Sequence, residues 1–140
     1  MKGQRISVTI NKMYQYMWMT EESGPVIKIL FVCHGNICRS TMAEFYMKEI
    51  VRRAGLSGEI EVASAATTND EAGNDTYYAT KDVLTEKGIP FTPRRAVKMT
   101  KDDYNTYDYI IVFDEENIRG VERITGLHDA EKVYTLLTFA

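Results

Sequence analysis

Reactive side chains are concentrated in one stretch, Cys33-His34-Gly35-Asn36-Ile37-Cys38-Arg39-Ser40. The thiolate of cysteine is a strong nucleophile, and the planar guanidinium of arginine matches two oxygens of a phosphate or carboxylate. Gly35 and Asn36 tolerate positive φ, so the chain between them can curl tightly at little steric cost. An apolar run precedes the stretch and a helical pattern comes after it. Backbone N–H groups of a loop turning into a helix N-terminus converge on one point and form an anion nest. The helix dipole, those N–H donors and Arg39 would all favour the thiolate of Cys33, and the Ser40 hydroxyl could donate a further hydrogen bond to the sulfur. A tetrahedral oxyanion fits such a cradle. A thiolate facing a bound phosphate ester can attack phosphorus in line with the leaving oxygen, forming a cysteinyl-phosphate that water then hydrolyses.

A lone cysteine is usually a small buried hydrophobe. The coincidence of Cys, Gly, Asn, Arg and Ser on a strand–loop–helix argues for chemistry instead. Cys38 has two open readings. It packs inside the loop, or it forms a reversible disulfide with Cys33 that shields the nucleophile from over-oxidation. His34 could touch substrate, adjust the thiolate, or serve through its backbone alone.

The elements that must position this loop are read from hydrophobic periodicity. Ile27–Cys33 is apolar except for Lys28 and reads as a buried strand. Thr41 with Glu44 three residues on has the spacing of a capping box, and Ala43, Tyr46, Met47, Ile50 and Ala54 recur at helical spacing to a stop at Gly55. A second strand is expected at 59–64, a polar loop at 67–74, and a helix from a cap at Asn74 or Asp75 to Gly88. Residues 89–100, with Pro90 and Pro93, read as irregular. A helical turn is expected at 104–108, with Lys101-Asp102-Asp103 as its solvated start. Tyr109–Phe113 is a third strand, Asp114 opens a helix to about Ile124, and a fourth strand spans 132–137. Residues 1–25 stand apart as an extension: Ile6, Val8 and Ile10 alternate as in a strand, 13–19 is rich in Tyr, Met and Trp, and Glu21–Gly24–Pro25 reads as a loop. Strand–helix alternation with continuous apolar strands implies an open α/β sheet, parallel and covered on both faces. Sites in such sheets lie at the carboxyl ends of the strands, where the Cys33 loop leaves the first one.

With 140 residues, one domain is expected. Apolar residues make up 44% and charged residues 26%, enough for a core. A net charge of −3 supplies no general field for nucleic acid or an anionic membrane. The longest uninterrupted apolar runs have five residues, against about 20 for a membrane span. No secretory signal is expected, because no small-residue cleavage site comes after 13–19. Two cysteines in one short segment do not make a disulfide scaffold, so a reducing cytoplasm is the expected setting.

The run Val32–Ser40 followed by Met42-Ala43-Glu44 resembles the low-molecular-weight protein tyrosine phosphatases. The similarity continues through Ser64-Ala65-Ala66, Gly88-Ile89, 95–108 and Asp114–Ile118, and covers about residues 27–139. The resemblance implies a cytoplasmic phosphotyrosine phosphatase on a flavodoxin-like sheet of four parallel strands, with no metal or other cofactor. Its substrates would be phosphotyrosine proteins or small aryl phosphates, with inorganic phosphate as product. By the same resemblance Cys33 is the nucleophile, Arg39 the phosphate-binding arginine, Asn36 the loop-shaping residue and Ser40 the thiolate-stabilising hydroxyl.

Departures from the family pattern carry expectations of their own. Thr41 stands where proline is usual and can still cap a helix. The family's general acid, an aspartate in an Asp-Pro pair beyond the fourth strand, has no match here, nor has the helix that usually closes the fold. The expected domain, 26–140, is therefore truncated at its C-terminal end. One sheet face would be partly bare, and apolar residues of 1–19 could cover it. Without an acid, the expected behaviour is slow turnover of tyrosyl phosphate, or phosphate and phosphotyrosine binding with impaired turnover. Asp129 precedes the fourth strand and falls at the wrong edge to substitute. Asp70 and Glu71 come after the second strand at the right edge, and read as solvated loop charges. Asp114 reads as a helix cap. Arsenate reductases sharing this loop need cysteines downstream of Cys38, and there are none in the sequence. His128 reads as a surface turn residue, Tyr109 as strand core, and Tyr77, Tyr78, Tyr104 and Tyr107 as surface packing. Trp18 has no assigned role.

Overall fold

Every position of Ile27–Cys33 except Lys28 is apolar, and this segment forms β1 at the interior of the sheet. The computed structural model describes residues 8–13, 15–16 and 26–139. Strands β2 (Ile60–Ala66), β3 (Tyr109–Val112) and β4 (Val133–Thr135) join β1 in one four-stranded sheet of order β2-β1-β3-β4, every pairing parallel. Helices α1 (Arg39–Arg53), α2 (Tyr78–Glu86), α3 (Lys101–Thr106) and α4 (Glu115–Thr125) fill the crossovers, and a 3-10 turn spans Leu136–Phe139.

The pleat sends alternate side chains of β1 to opposite faces. Ile29 and Phe31 enter a core with Met42, Phe45 and Met47 of α1 and Leu84 of α2. Leu30 and Val32 enter a second core with Met99 and Val121. Burial on both faces is why β1 reads as a continuous apolar run. The register pairs Cys33 with Ala66, so β1 and β2 end together at one edge of the sheet. There β1 hands the chain to the candidate loop, which is flanked by the segments leaving β2 and β3.

Several boundaries differ from the periodicity. The capping box expected at Thr41 and Glu44 does not form. Helix α1 begins three residues earlier with Cys38 as N-cap and no side-chain cap, while the Thr41 hydroxyl donates to the Cys38 carbonyl at 3.0 Å. Gly55 does terminate α1. At φ 73° it lets its own N–H donate to the Arg52 carbonyl and that of Leu56 to the Val51 carbonyl, the two bonds of a Schellman motif. Neither Asn74 nor Asp75 caps α2, whose N-cap is Tyr77. The Asp75 carboxylate instead accepts from Lys81, the Thr76 N–H and the Arg94 N–H, and the Lys81 ammonium leads in holding it below the usual carboxylate range. The capping box that does form joins Thr100 to Asp103 at the head of α3.

The alternation of Ile6, Val8 and Ile10 also yields to the structure: residues 8–13 and 15–16 are helical, not extended. Ile10 and Met13 share a helical face and are fully buried in the same core as Phe31 and Leu136. The Tyr16 ring meets Phe139 edge-on at 5.4 Å between centroids. The sheet face expected to be bare therefore carries these side chains. The start of the expected strand, the Glu21–Gly24–Pro25 loop and Trp18 lie outside the described residues. No helix among the described residues is long and apolar enough to cross a membrane.

Candidate active site

Cys33 ends β1 with only 4% of its surface exposed. Residues 34–38 turn the chain, and α1 starts at Arg39, so the N–H groups of its first turn have no intrahelical partners. Cys33 Sγ lies 3.1 Å from Ser40 Oγ. Asn36 Nδ2 donates to the same hydroxyl oxygen at 2.9 Å. The oxygen is thereby an acceptor toward Asn36, which leaves its proton available to an ionised sulfur. Asn36 is fully buried at φ 59°, a left-handed conformation that asparagine adopts more readily than most residues.

A network that periodicity did not reveal holds Asn36 from inside. Its amide donates also to Ser64 Oγ at 2.9 Å, and its side-chain oxygen accepts from Arg94 Nη2 at 2.7 Å and the Val97 N–H at 3.2 Å. Arg94 Nη1 donates to the Asn36 carbonyl at 2.9 Å, and Nη2 also reaches Ser64 at 3.2 Å. Ser64 donates to the carboxylate of Glu44, which is buried and lies 3.9 Å from Arg94 Nε. Glu44 thus faces inward to Ser64 and Lys48 rather than back to its helix start. One signal was present: Glu44 sits beside Ala43 and Met47 on the apolar stripe, where a carboxylate requires a buried partner. Arg94 lies in a stretch with no periodicity, so nothing marked it.

The outer side of the loop is built differently. Arg39 Nη1 donates to Asp114 Oδ2 at 2.9 Å, and its guanidinium sits 5.5 Å from the centre of the Phe113 ring. Asp114 caps α4 as expected, accepting the Asn117 N–H at 2.9 Å. Partial burial opposes its ionisation, but the Asn117 N–H and the Arg39 guanidinium hold its carboxyl below the usual range. His34 is half exposed and reaches both flanks: Nε2 is 2.7 Å from Asp70 Oδ2 and Nδ1 is 3.1 Å from Glu116 Oε1. The hydrogen bond to Asp70 raises the pKa of His34 above its ordinary value against the opposing effect of burial, and Glu116 adds to it. The Thr68 N–H and hydroxyl donate to the His34 carbonyl at 3.3 and 3.1 Å, and the Glu71 side chain lies against Gly35. Gly120 of α4 approaches Thr67 so closely that a Cβ would fall 2.6 Å from its side chain, so glycine is required there.

Cys33, Asn36 and Ser40 are therefore brought together as expected, and Arg39 lies at the same loop in a pair with Asp114. Cys38 does not pack inside the loop. It is exposed, accepts from the Thr80 hydroxyl at 3.3 Å, and is, like Cys33, a free thiol. Ile37 contributes its carbonyl to the Tyr77 N–H at 2.7 Å. Tyr77 and Tyr78 lie beside this side of the loop with tilted rings, their centres 4.6 Å apart. Among the described residues no three His, Cys, Asp or Glu side chains form a cluster that could hold a metal ion. The loop can thus present backbone donors and one arginine to an anion lying against a cysteine sulfur.

Comparison with known proteins agrees with that geometry. A family model described as low molecular weight phosphotyrosine protein phosphatase matches residues 28–140. The low molecular weight protein-tyrosine-phosphatase YfkJ of Bacillus subtilis is 35% identical over 114 residues, covering 81% of this chain and 73% of that protein. The human low molecular weight phosphotyrosine protein phosphatase is 41% identical over 95 residues, covering 68% of this chain and 60% of that protein. The chain thus spans less than two thirds of the human relative's length. Among solved structures, that of YfkJ superposes with a TM-score of 0.79 over 84% of this chain and 74% of the other, at 35% identity. SP-PTP, a low molecular weight protein tyrosine phosphatase from Streptococcus pyogenes, superposes with a TM-score of 0.73 over 79% of this chain and 71% of the other, at 36% identity.

Proposed function

Because the chain belongs to the low molecular weight phosphotyrosine protein phosphatase family, we propose that it hydrolyses phosphotyrosine and small aryl phosphates through a cysteinyl-phosphate on Cys33. In this reading residues 26–140 form the phosphatase domain and 1–25 an extension to it. The observation that carries it is the placement of Cys33 Sγ 3.1 Å from the Ser40 hydroxyl, at the carboxyl end of β1 and the head of α1. A thiolate there accepts the Ser40 proton in a hydrogen bond. The phosphate sits over it, its equatorial oxygens on the loop N–H groups and the Arg39 fork. Sulfur attacks phosphorus as the aryl oxygen leaves with the bonding pair. Water then attacks the phosphocysteine, restoring the thiolate and releasing inorganic phosphate. Arg39 would exchange Asp114 for phosphate oxygens, so the pair with Asp114 keeps the fork at the mouth while the site is empty. A cytoplasmic setting suits the free Cys33 and Cys38.

The rim carboxylates bear on a second reading, in which phosphate is captured but tyrosyl phosphate turns over slowly. Asp114 is held ionised by Arg39 and the Asn117 N–H, while Asp70 and Glu116 serve as partners of His34. None of the three is poised to give a proton to a leaving phenolate, a contribution of about 10²–10⁴ in rate when a positioned acid supplies it.

One experiment addresses both readings. The 140-residue chain is given aryl phosphates of graded leaving-group pKa and a phosphotyrosine peptide, and phosphate release is measured. Turnover abolished in Cys33→Ser, with phosphate binding retained, is the expected result. Rates that fall steeply as the leaving group becomes more basic favour slow turnover of tyrosyl phosphate. A flat dependence shows that a proton donor is at work. Undiminished release in Cys33→Ser overturns the mechanism.

A further inference from the structure

The sheet order puts β1 between β2 and β3, so the loop after β1 has the loop after β2 on one side and the head of α4 on the other. His34 is the first residue of that middle loop, next to Cys33. Its two ring nitrogens contact one carboxylate on each side: Asp70 from the loop after β2, Glu116 from the first turn of α4. We propose that His34 is a positioning residue, a strap that ties both walls of the mouth to the anion cradle and holds the cradle's backbone ready for phosphate. This role rests on the phosphatase reading and adds a residue to it.

A carboxylate at each nitrogen accepts and does not donate. Neutral imidazole has one N–H, so it can serve only one of the two. The doubly bonded arrangement is therefore that of the imidazolium, and loss of the proton leaves a lone pair facing a carboxylate and opens one arm. The main chain of His34 is anchored as well, through its carbonyl to Thr68. With side chain and carbonyl both held, the first peptide unit of the cradle has little freedom left. Phosphate then binds a preformed nest and need not order it, which is where rigidity improves affinity.

The other charged groups on the elements that flank the loop are Glu71 against Gly35, Glu115 next to Glu116 in the chain, and Asp114 paired with Arg39. Apart from Arg39 they are acidic, and among the acids at the mouth it is Asp70 and Glu116 that favour the charged imidazole. An anion entering the mouth meets those acids too, and that gives the test its sign. If only net charge mattered, removing an acid would tighten anion binding. If His34 works as a strap, removing an acid loosens the cradle and weakens binding.

The test uses Asp70→Ala, Glu116→Ala and the double variant in the full chain. Both side chains are more than 60% exposed, so folding is not at stake. Imidazole titration is monitored by NMR, and inorganic phosphate affinity by calorimetry at pH 6 and pH 8.5. Each single variant is expected to lower the His34 titration midpoint and to weaken phosphate binding at pH 6 by about two- to fivefold, the range of an exposed ion pair. KM for an aryl phosphate is expected to rise in parallel while kcat changes less. At pH 8.5, where the wild type loses an arm itself, the gap between wild type and double variant is expected to narrow. Unchanged or tighter phosphate binding at pH 6 in the double variant overturns the strap and leaves the phosphatase reading standing. A wild-type chain that binds no phosphate at either pH overturns both.

Discussion

The loop after β1 is held from two sides by two kinds of chemistry. On the inside, Asn36, Ser40, Ser64, Glu44 and Arg94 form a buried network in which each Asn36 amide hydrogen has an acceptor and the Asn36 oxygens meet Arg94 and Val97. On the outside, His34 and Arg39 meet Asp70, Glu116 and Asp114 in contacts that water reaches. Buried polar groups are costly when left unpaired, so the inner network allows one arrangement. Exposed ion pairs contribute little and respond to pH and salt, so the outer contacts can adjust. The inner side determines the shape of the cradle and the outer side how ready it is.

The inner side should break hardest at Asn36. Asn36→Ala leaves the Arg94 guanidinium, Ser40 and Ser64 short of partners and puts a Cβ residue at φ 59° without asparagine's local compensation. A loss of about 2–5 kcal/mol in unfolding free energy is expected from the two effects together. Asn36→Gly should recover about 1–2 kcal/mol of it, because only the backbone term is relieved. Equal losses in urea for the two variants would show that the left-handed conformation costs nothing here.

Arg94→Met comes next. It keeps a long apolar stem but removes the donors that reach the Asn36 carbonyl and Ser64. About 2–4 kcal/mol is expected by the same reasoning, with phosphate affinity falling alongside stability. If stability falls and phosphate affinity does not, the network supports the fold without shaping the cradle. Ile10→Ala supplies the contrast: a fully buried side chain whose loss should cost about 2–3 kcal/mol by chemical denaturation, with phosphate affinity unchanged.

How legible each side was depends on the physics. The strand entering Cys33 is buried on both faces, and such strands leave an unbroken apolar run that needs no partner to be read. The loop's own residue types announced the turn, and Cys33, Asn36 and Ser40 do meet in it. The network beneath was not legible, because Arg94 and Ser64 join Asn36 only through the parallel pairing of β1 with β2 and the return of the 89–100 segment past Ala66. Glu44 matched a local capping pattern, and a tertiary partner won over it. The same competition misdirected the N-terminal reading: Ile6, Val8 and Ile10 have a period of two, but Ile10 and Met13, three apart, are the pair that finds the core. Asp70 and Glu116 were visible only as loop and helix charges. Nothing local says that a histidine between them will hold both.

The smallest effect separates the two sides most cleanly, because it has a sign in pH. The His34 pKa is raised on folding by Asp70 and Glu116. A group raised above its unfolded value stabilises the fold fully below that unfolded value, near 6.5. The contribution disappears as pH climbs through the higher folded value. Because the ring and both carboxylates are exposed, it should stay below about 1 kcal/mol and shrink in high salt. The measurement is the difference in unfolding free energy between wild type and His34→Leu at pH 5.5 and pH 8.5. Wild type should lead at the lower pH and lose its advantage at the higher. The Asn36 and Arg94 variants should show no such dependence, since neither removes a contact of the imidazole. An Asn36→Ala deficit that varied between pH 5.5 and pH 8.5 as the His34 difference does would mean that the two sides of the loop are one coupled unit rather than a fixed frame with an adjustable rim.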